Sequence, residues 1–553
     1  RGDLMVGAYG VTSNTGKVYF YETRENFAWQ IQKQPTSSGI TRTSLGTAGQ
    51  EIQINGQTSS FFGVSLTTGD FNADGKKDLA VGATVYASST GRVYIFYSDG
   101  DLPTSAASAD VVIVGGATTD EFGGTMTTGD FNADGKTDLA VSSYMYSTKI
   151  GRVYVFYNDG SYPATANSAD VIFTGDSILT YFGWSLAAGD FNADGTTDLA
   201  IAAYKYASSA GRVYIFYNDG SYPVPASADV IIAGEASSRL GTSLVAGDFN
   251  ADGKTDLASG AQAYSSFTGR VYIFNNDGSI PTTAATADVI ITGEASSEFG
   301  DILVAGDFNA DSKTDLAASG IGYSSSTGRA YIFNNDGSIP TTAATADVII
   351  TGETAGDAFS WSLTSGDWNA DGRTDLAVDA TSYSSAAGRV YIFLNDGSIP
   401  TTGATADIIL TGEASSSFGY VLNSGDFNAD GKTDLVISSA ASTAGRVNIY
   451  TFNDPVITGE TVFGEFAYAM VAGDLNADGR TDLAVGAWAY TTNTGRVYVF
   501  YNDGIYPTGA ASADVIMTGE TTTNYFGWAL AAGDFNADGK TDLSVGAYQY
   551  SSS

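Results

Sequence analysis

Asp130, Asn132, Asp134 and Asp138 set four oxygen-bearing side chains at positions 1, 3, 5 and 9 of one nine-residue run, and Gly135 at position 6 permits the positive-φ bend of a tight loop. Alternating carboxylate and carboxamide donors at this spacing suit a hard cation. Calcium takes roughly six to eight oxygen ligands, which the four side chains, the Lys136 carbonyl at position 7 and water would supply. The chain has no Cys and no His, so thiolate or imidazole sites for zinc or copper are excluded.

The loop recurs nine times with the same four ligand types. The expected calcium sites, with position 7 acting through its carbonyl, are Asp70, Asn72, Asp74, Lys76 and Asp78; Asp130, Asn132, Asp134, Lys136 and Asp138; and Asp190, Asn192, Asp194, Thr196 and Asp198. The middle three are Asp248, Asn250, Asp252, Lys254 and Asp256; Asp307, Asn309, Asp311, Lys313 and Asp315; and Asp367, Asn369, Asp371, Arg373 and Asp375. The last three are Asp426, Asn428, Asp430, Lys432 and Asp434; Asp474, Asn476, Asp478, Arg480 and Asp482; and Asp534, Asn536, Asp538, Lys540 and Asp542. An Asx-turn hairpin uses the same residue types to bond nearby backbone amides. A turn would tolerate drift, however, whereas three carboxylates in nine residues repel one another unless a cation offsets them. Ser312 replaces the loop glycine in the fifth copy, and the strain of a side chain there makes it the expected weakest site.

Composition narrows the function. The formal charge is −36, and nine calcium ions would leave about −18, so nucleic acid and anionic membrane are disfavoured partners. Catalysis that needs a histidine base or a cysteine nucleophile is impossible, which disfavours an enzyme. No apolar run approaches the ~18 residues of a membrane span, so no membrane insertion is expected. No signal peptide is recognisable, and a start at Arg1 reads as a mature, trimmed or partial chain.

The elements that position the loops repeat with them. The last loop Asp recurs in steps of 60, 60, 58, 59, 60, 59, 48 and 60 residues. One unit reads as four short strands: 182–186 into the loop, 198–201 out of it, 211–217 and 228–232, each β-branched or aromatic and bounded by Gly, Asn, Asp, Ser or Pro. Four-stranded antiparallel units at this period predict an all-β array of propeller-like blades. The Asn-Asp-Gly after strand three, as at 158–160, reads as a turn only, and the basic residues at loop position 7 and at the start of strand three read as solvated or locally paired. The shortened connection between Arg446 and Thr458 predicts a tight hairpin between strands three and four. The expected organisation is a partial repeat over 1–61 with strands two to four, eight complete blades over 62–525, and a partial repeat over 526–553 with strands one and two.

Phe62-Gly63, Phe122-Gly123 and Phe526-Gly527 opening strand one, the Asp-x-Asn-x-Asp-Gly-x-x-Asp loop, and Val81-Gly82-Ala83 or Val545-Gly546-Ala547 after it resemble the FG-GAP repeats of integrin α-subunit propellers and of many secreted bacterial proteins. The resemblance implies calcium in the hairpins between strands one and two on one face, and partner binding mainly on the opposite face. It departs at Leu240-Gly241 and Phe359-Ser360, and nine strand-one segments exceed the seven blades common in the family.

The expected function is a calcium-stabilised, extracellular or cell-surface scaffold for adhesion or ligand binding, without catalysis. A self-associating rod or filament and an accessory region of a larger enzyme are the alternatives. The expected partner is a protein or glycan, or a second copy. Tyr86, Tyr146, Tyr206, Tyr264, Tyr323, Tyr383, Tyr490 and Tyr550, each eight residues after a last loop Asp, would reach the face opposite the calcium hairpins and present rings there; packing within the blades is the competing role. Arg1-Gly2-Asp3 aligns with Arg480-Thr481-Asp482, so it reads as the tail of another calcium loop. A strand two at each end, 4–9 and 543–548, predicts a window from a longer array or an edge that pairs with another copy.

Overall fold

The computed structural model describes residues 4–8, 17–21 and 41–42 and, from 51 to 547, all but 58–59, 99–102, 104, 220–221, 223–226, 427–431, 440–445, 451–456, 459, 461–465, 474, 478–481, 502–509, 534 and 536–540. These fall into two compact units. One comprises 36–44 and 50–451, the other 1–35, 45–49 and 452–553.

The third blade of the larger unit shows how sequence becomes strand. Phe182–Gly189, Asp198–Ala203, Arg212–Phe216 and Val230–Ala233 pair antiparallel in sequence order. Strand two, Asp-Leu-Ala-Ile-Ala-Ala, is buried along its whole length, and its small aliphatic side chains suit a strand covered on both faces. Strand three is buried except for its leading Arg, and strand four at the rim is mostly half-exposed. A register shift between Phe182 and Leu186 marks a bulge where strand one begins.

Seven such sheets occur in the larger unit, with strands one starting at Phe62, Met126, Phe182, Leu244, Leu303, Phe359 and Phe418. The hydrophobic core lies between blades, not within them. Phe131, Val153, Val155 and Phe173 of the second blade pack with Phe182, Leu199, Ile201 and Tyr214 of the third. Hydrogen bonds join strand one of every blade, or the residues leading into it, to the same segment of the next. Ser65 Oγ donates to the Gly123 carbonyl at 2.7 Å, Thr125 Oγ1 to Trp184 at 2.8 Å, Ser185 Oγ to Gly241 at 2.8 Å and Ser365 Oγ to Ala305 at 3.0 Å, while the Leu303 N–H donates to Ser243 Oγ at 3.2 Å and that of Leu422 to Ser362 Oγ at 3.0 Å. The circuit returns to its start through Asn423 Nδ2, which donates to the Leu66 carbonyl at 3.0 Å. The seven sheets are therefore the blades of a closed ring.

A distant segment completes the seventh blade. Glu51–Asn55 pairs antiparallel with Arg446–Tyr450 over five residues, and Ile54 is buried with Phe62, Leu66, Val447 and Ile449. Thr41–Arg42 adds an outer strand to the sixth blade. The hairpin expected between Arg446 and Thr458 does not form. The five-residue strand 51–55 gives a full register and a buried Ile54, whereas Ile457–Thr458 offers two residues and pairs with Val18 and Lys17 in the smaller unit. The strands expected to make one repeat over 1–61 are likewise divided, with Leu4–Ala8 and Lys17–Tyr21 in the smaller unit and Glu51–Asn55 in the larger.

The smaller unit holds that three-stranded sheet, a four-stranded blade from Phe466 to Thr518, and the pair Phe526–Gly533 with Asp542–Ala547. The seven-bladed ring is thus inserted along the chain between the second and third strands of this three-stranded sheet, Lys17–Tyr21 and Ile457–Thr458.

Strand 51–55 is the outer strand of the seventh blade, so its burial should control the stability of the ring. Ile54→Ala is expected to destabilise by about 2–5 kcal/mol. Urea unfolding of the variant checks this, and a change under 1 kcal/mol would contradict the closure.

Candidate functional site

The loop between strands one and two is tied down from both ends. In the second blade the Phe131 N–H donates to Asp138 Oδ2 at 2.9 Å, and the Asn158 N–H at the end of strand three donates to Asp138 Oδ1 at 2.7 Å. Asp138 is fully buried, and so is Phe131, which carries the loop into the interblade core. The same pair of bonds recurs at Asp78, Asp198, Asp256, Asp315 and Asp375. Within the loop the Asp134 N–H donates to Asp130 Oδ1 and Asn132 Oδ1, both at 3.0 Å, the Gly135 N–H to Asp130 Oδ2 at 2.8 Å, and the Lys136 N–H to Asp134 Oδ1 at 2.9 Å. These Asx bonds shape the turn while each oxygen keeps a second lone pair.

Positions 1, 3, 5 and 7 therefore share one exposed bend, and position 9 lies beneath it. Among the described residues no three acidic side chains gather around one point. The donor set is nonetheless all oxygen, as a calcium ion requires. Ser312 takes φ +67° and its N–H donates to Asp307 Oδ2 at 2.8 Å, reproducing the bond that Gly75, Gly135, Gly195, Gly253 and Gly372 make in their loops. Asn428, Asp430, Asp474, Asp478, Arg480, Asp534, Asn536, Asp538, Lys540 and Tyr550 lie outside the described residues.

Asn-Asp-Gly proves more than a turn. Asn158 is buried, and its Nδ2 donates to the Asp70 carbonyl of the preceding blade's loop at 3.3 Å; Asn218 reaches Asp130 at 3.5 Å, and Asn395 reaches Phe308 at 2.7 Å. Three pairs of adjacent loops are thereby linked, while Asn276 Nδ2 and Asn335 Nδ2 in the fourth and fifth blades are buried without a hydrogen-bond partner. Lys136 and Lys313 each place Nζ 3.0 Å from the carbonyl of the Asn that follows strand three in their own blade, so position 7 is locally paired, as expected.

The tyrosines eight residues past the loop begin short turns whose next two residues are left-handed, such as Ala87 and Ser88 with φ 49° and 60°. The described seven are half-buried, and the strand-three Arg of the same blade covers one face of each: Arg92 on Tyr86, Arg212 on Tyr206 and Arg389 on Tyr383 at 3.6 Å, Arg152 on Tyr146, Arg270 on Tyr264 and Arg329 on Tyr323 at 3.7 Å, and Arg496 on Tyr490 at 3.8 Å. Most of these arginines then bridge to an acid that follows strand four of the preceding blade. Arg270 meets Glu235 at 2.9 Å, Arg329 meets Glu294 at 2.8 Å and Arg389 meets Glu353 at 2.9 Å. A strand-three tyrosine hydroxyl donates to the same carboxylate, Tyr272 to Glu235 at 2.6 Å and Tyr331 to Glu294 at 3.0 Å. This interblade clasp went unread in the sequence, although the repeated Gly-Glu after strand four was its signal. Glu294→Ala should cost about 1–3 kcal/mol by stranding two partners, and urea denaturation of the single and of the double variant with Tyr331→Phe measures it.

Burial pushes the position 9 carboxyls up against the pull of their two backbone bonds: Asp78, Asp138 and Asp256 to about 6, Asp198 and Asp375 to about 7. A carboxyl whose folded pKa exceeds its unfolded value of about 3.9 binds more protons when folded, so stability falls as pH rises between those values. In chelator the melting temperature should drop from pH 5 to pH 7.5. With millimolar calcium the drop should shrink or reverse, because deprotonation favours the metal. Calorimetry at both pH values in each condition checks the sign.

Among the described residues no helix is long and apolar enough to cross a membrane. The FG-GAP repeat model matches residues 62–96, 122–156, 182–216, 240–274, 418–450, 466–500 and 526–553, and the FG-GAP-like repeat model matches 307–378. The chain is 28% identical to integrin alpha-PS2 of Drosophila melanogaster over 311 residues, 52% of this chain and 21% of that protein. It is 29% identical to integrin alpha-4 of Xenopus laevis over 218 residues, 38% of this chain and 19% of that protein. Phosphatidylinositol-glycan-specific phospholipase D of Bos taurus is 28% identical over 246 residues, 38% of this chain and 29% of that protein. The chain thus spans less than a third of these curated relatives. With the repeated loops, the Phe-Gly openings and the ring of four-stranded blades, these matches make it a member of the FG-GAP repeat family.

Proposed function

We propose that this chain is a calcium-stabilised, non-catalytic scaffold for adhesion or ligand binding that works outside the cell or on its surface. The observation that carries the reading is the loop, an all-oxygen donor set repeated nine times and, in the described blades, held by backbone bonds to a buried Asp. Asp130, Asn132, Asp134, the Lys136 carbonyl and Asp138, with their counterparts, would hold the ions, whose positive charge relieves the repulsion among the carboxylates. Sites of this kind, lacking the Glu that completes a high-affinity loop, fill at extracellular calcium and empty at cytosolic levels, which supports the location. The similarity to integrin α subunits supports a protein ligand, and the end of each blade opposite the loops is left for it.

A second reading, an accessory binding region of an enzyme, is favoured by the similarity to phosphatidylinositol-glycan-specific phospholipase D across 38% of the chain. Attachment of a catalytic domain elsewhere in the full-length protein would separate it from the first.

Calcium should set stability. At millimolar calcium and a Kd near ~10⁻³ M each site contributes roughly 0.4 kcal/mol, and more if tighter. EDTA should therefore lower the melting temperature by several degrees and readdition of calcium restore it; an unchanged melting curve would overturn the calcium reading.

A further inference from the structure

From Asp78 to the C-terminus the basic residues stand at loop position 7 or at the start of strand three, with three exceptions: Lys149, Lys205 and Arg239. The structure brings those three to one place. Lys149 Nζ lies 5.1 Å from the ring centre of Tyr181, and Lys205 Nζ lies 4.5 Å from the same ring and 5.2 Å from Tyr204. Arg239 packs over Phe267 at 5.5 Å and acts electrostatically on Tyr204. Trp184 stands 4.3 Å from Tyr204, 5.2 Å from Tyr144 and 6.1 Å from Tyr181, centre to centre. Trp184 opens strand one and Tyr204 follows strand two, so the cluster occupies the end of the second to fourth blades opposite the loops.

The rings recur in part of the array, with Trp361, Tyr420 and Trp528 at the position of Trp184 and Tyr144 and Trp488 at that of Tyr204, whereas no other repeat has a cation at the positions of Lys149 and Lys205. Where the third blade has Trp184, the first, second and fourth have Val64, Gly124 and Thr242; where it has Tyr204, the first and fourth have Thr84 and Gln262. The blade architecture, which the other repeats build without cations at the positions of Lys149 and Lys205, does not account for the lysines. Among the described residues none of the three cations forms an ion pair, in a chain of formal charge −36. Glu121 acts on Tyr144, and Asp301, which feels both Glu298 and Arg239, faces the Arg239 side. Glu121 acts on Lys149 too, so Lys205 is the least opposed of the three cations.

We propose that this cluster binds an acidic polysaccharide, a sugar ring lying on the half-buried rings of Tyr181 and Trp184, which the buried Tyr204 backs, while its carboxylate or sulfate reaches Lys149 and Lys205. A pyranose offers a flat apolar C–H face with the anion at its rim, and here cations and rings are interleaved in the matching way. The rest of the molecule repels a polyanion, so binding is confined to this end and weakens with salt. The inference rests on the ligand-binding reading above.

The test uses the whole chain in millimolar calcium, with polygalacturonate, neutral dextran and polyglutamate as probes in calorimetric or interferometric titrations. Saturable binding to polygalacturonate that falls with salt, absent with dextran and much weaker with polyglutamate, is expected. Lys149→Ala with Lys205→Ala should weaken it by roughly tenfold or more without moving the melting temperature, and Trp184→Leu should weaken it at unchanged salt dependence. Equal binding to polyglutamate would overturn the proposal in favour of an acidic protein segment, a result to which the neighbouring exposed Ile178 and Leu179 would then be relevant. Polygalacturonate binding unaffected by the double variant, or none at all, would overturn it too. If other glycans or proteins still bind saturably, the scaffold reading survives that failure; if nothing binds, both fall.

Discussion

The ring depends on one buried carboxylate per blade. In six blades Asp138 or its counterpart accepts an N–H from the second loop residue and another from the second residue after strand three. One side chain thereby fixes the shape of the loop, the end of strand two and the exit of strand three. Burying a carboxylate costs free energy, visible as a pKa raised by desolvation, and two backbone donors offset only part of it. On the calcium reading proposed above, a cation over the bend would offset more of it.

Blade junctions follow from the same economy of polar groups. At the loop end, the Asn after strand three spans to the preceding loop in three blades; at the other end, an Arg stacked on Tyr reaches an acid of the preceding blade. Between these polar layers lies a dry interblade core such as that joining Phe131 to Phe182 and Tyr214. Glycine is required where backbones meet: a Cβ on Gly123, at φ +90°, would stand 2.7 Å from the Arg92 carbonyl oxygen. Ser360 takes the same role in the sixth blade at φ +71°, held by donating to the Arg329 carbonyl at 2.7 Å.

Repetition makes the departures informative. A residue type that recurs in every blade answers to the architecture, whereas Lys149, Lys205 and Arg239 break the pattern and converge on one end of neighbouring blades. In a chain so acidic, stray cations gathered over aromatic rings mark a surface whose composition folding does not demand.

The period near 60 residues, the strand patterns and the donor spacing of the loops were legible in the sequence, because each depends on residues close together along the chain. So was the family, through Phe-Gly and the loop. Which strands pair across hundreds of residues was not. Strand 51–55 looks like the fourth strand of its own repeat, yet closes a blade that begins at Phe418, because the ring presents it with a five-residue edge and an apolar slot for Ile54. The Asn after strand three read as a turn, and the Arg at the head of strand three as a solvated or locally paired charge, for the same reason: their partners belong to the preceding blade, and only packing blade on blade brings them within bonding distance.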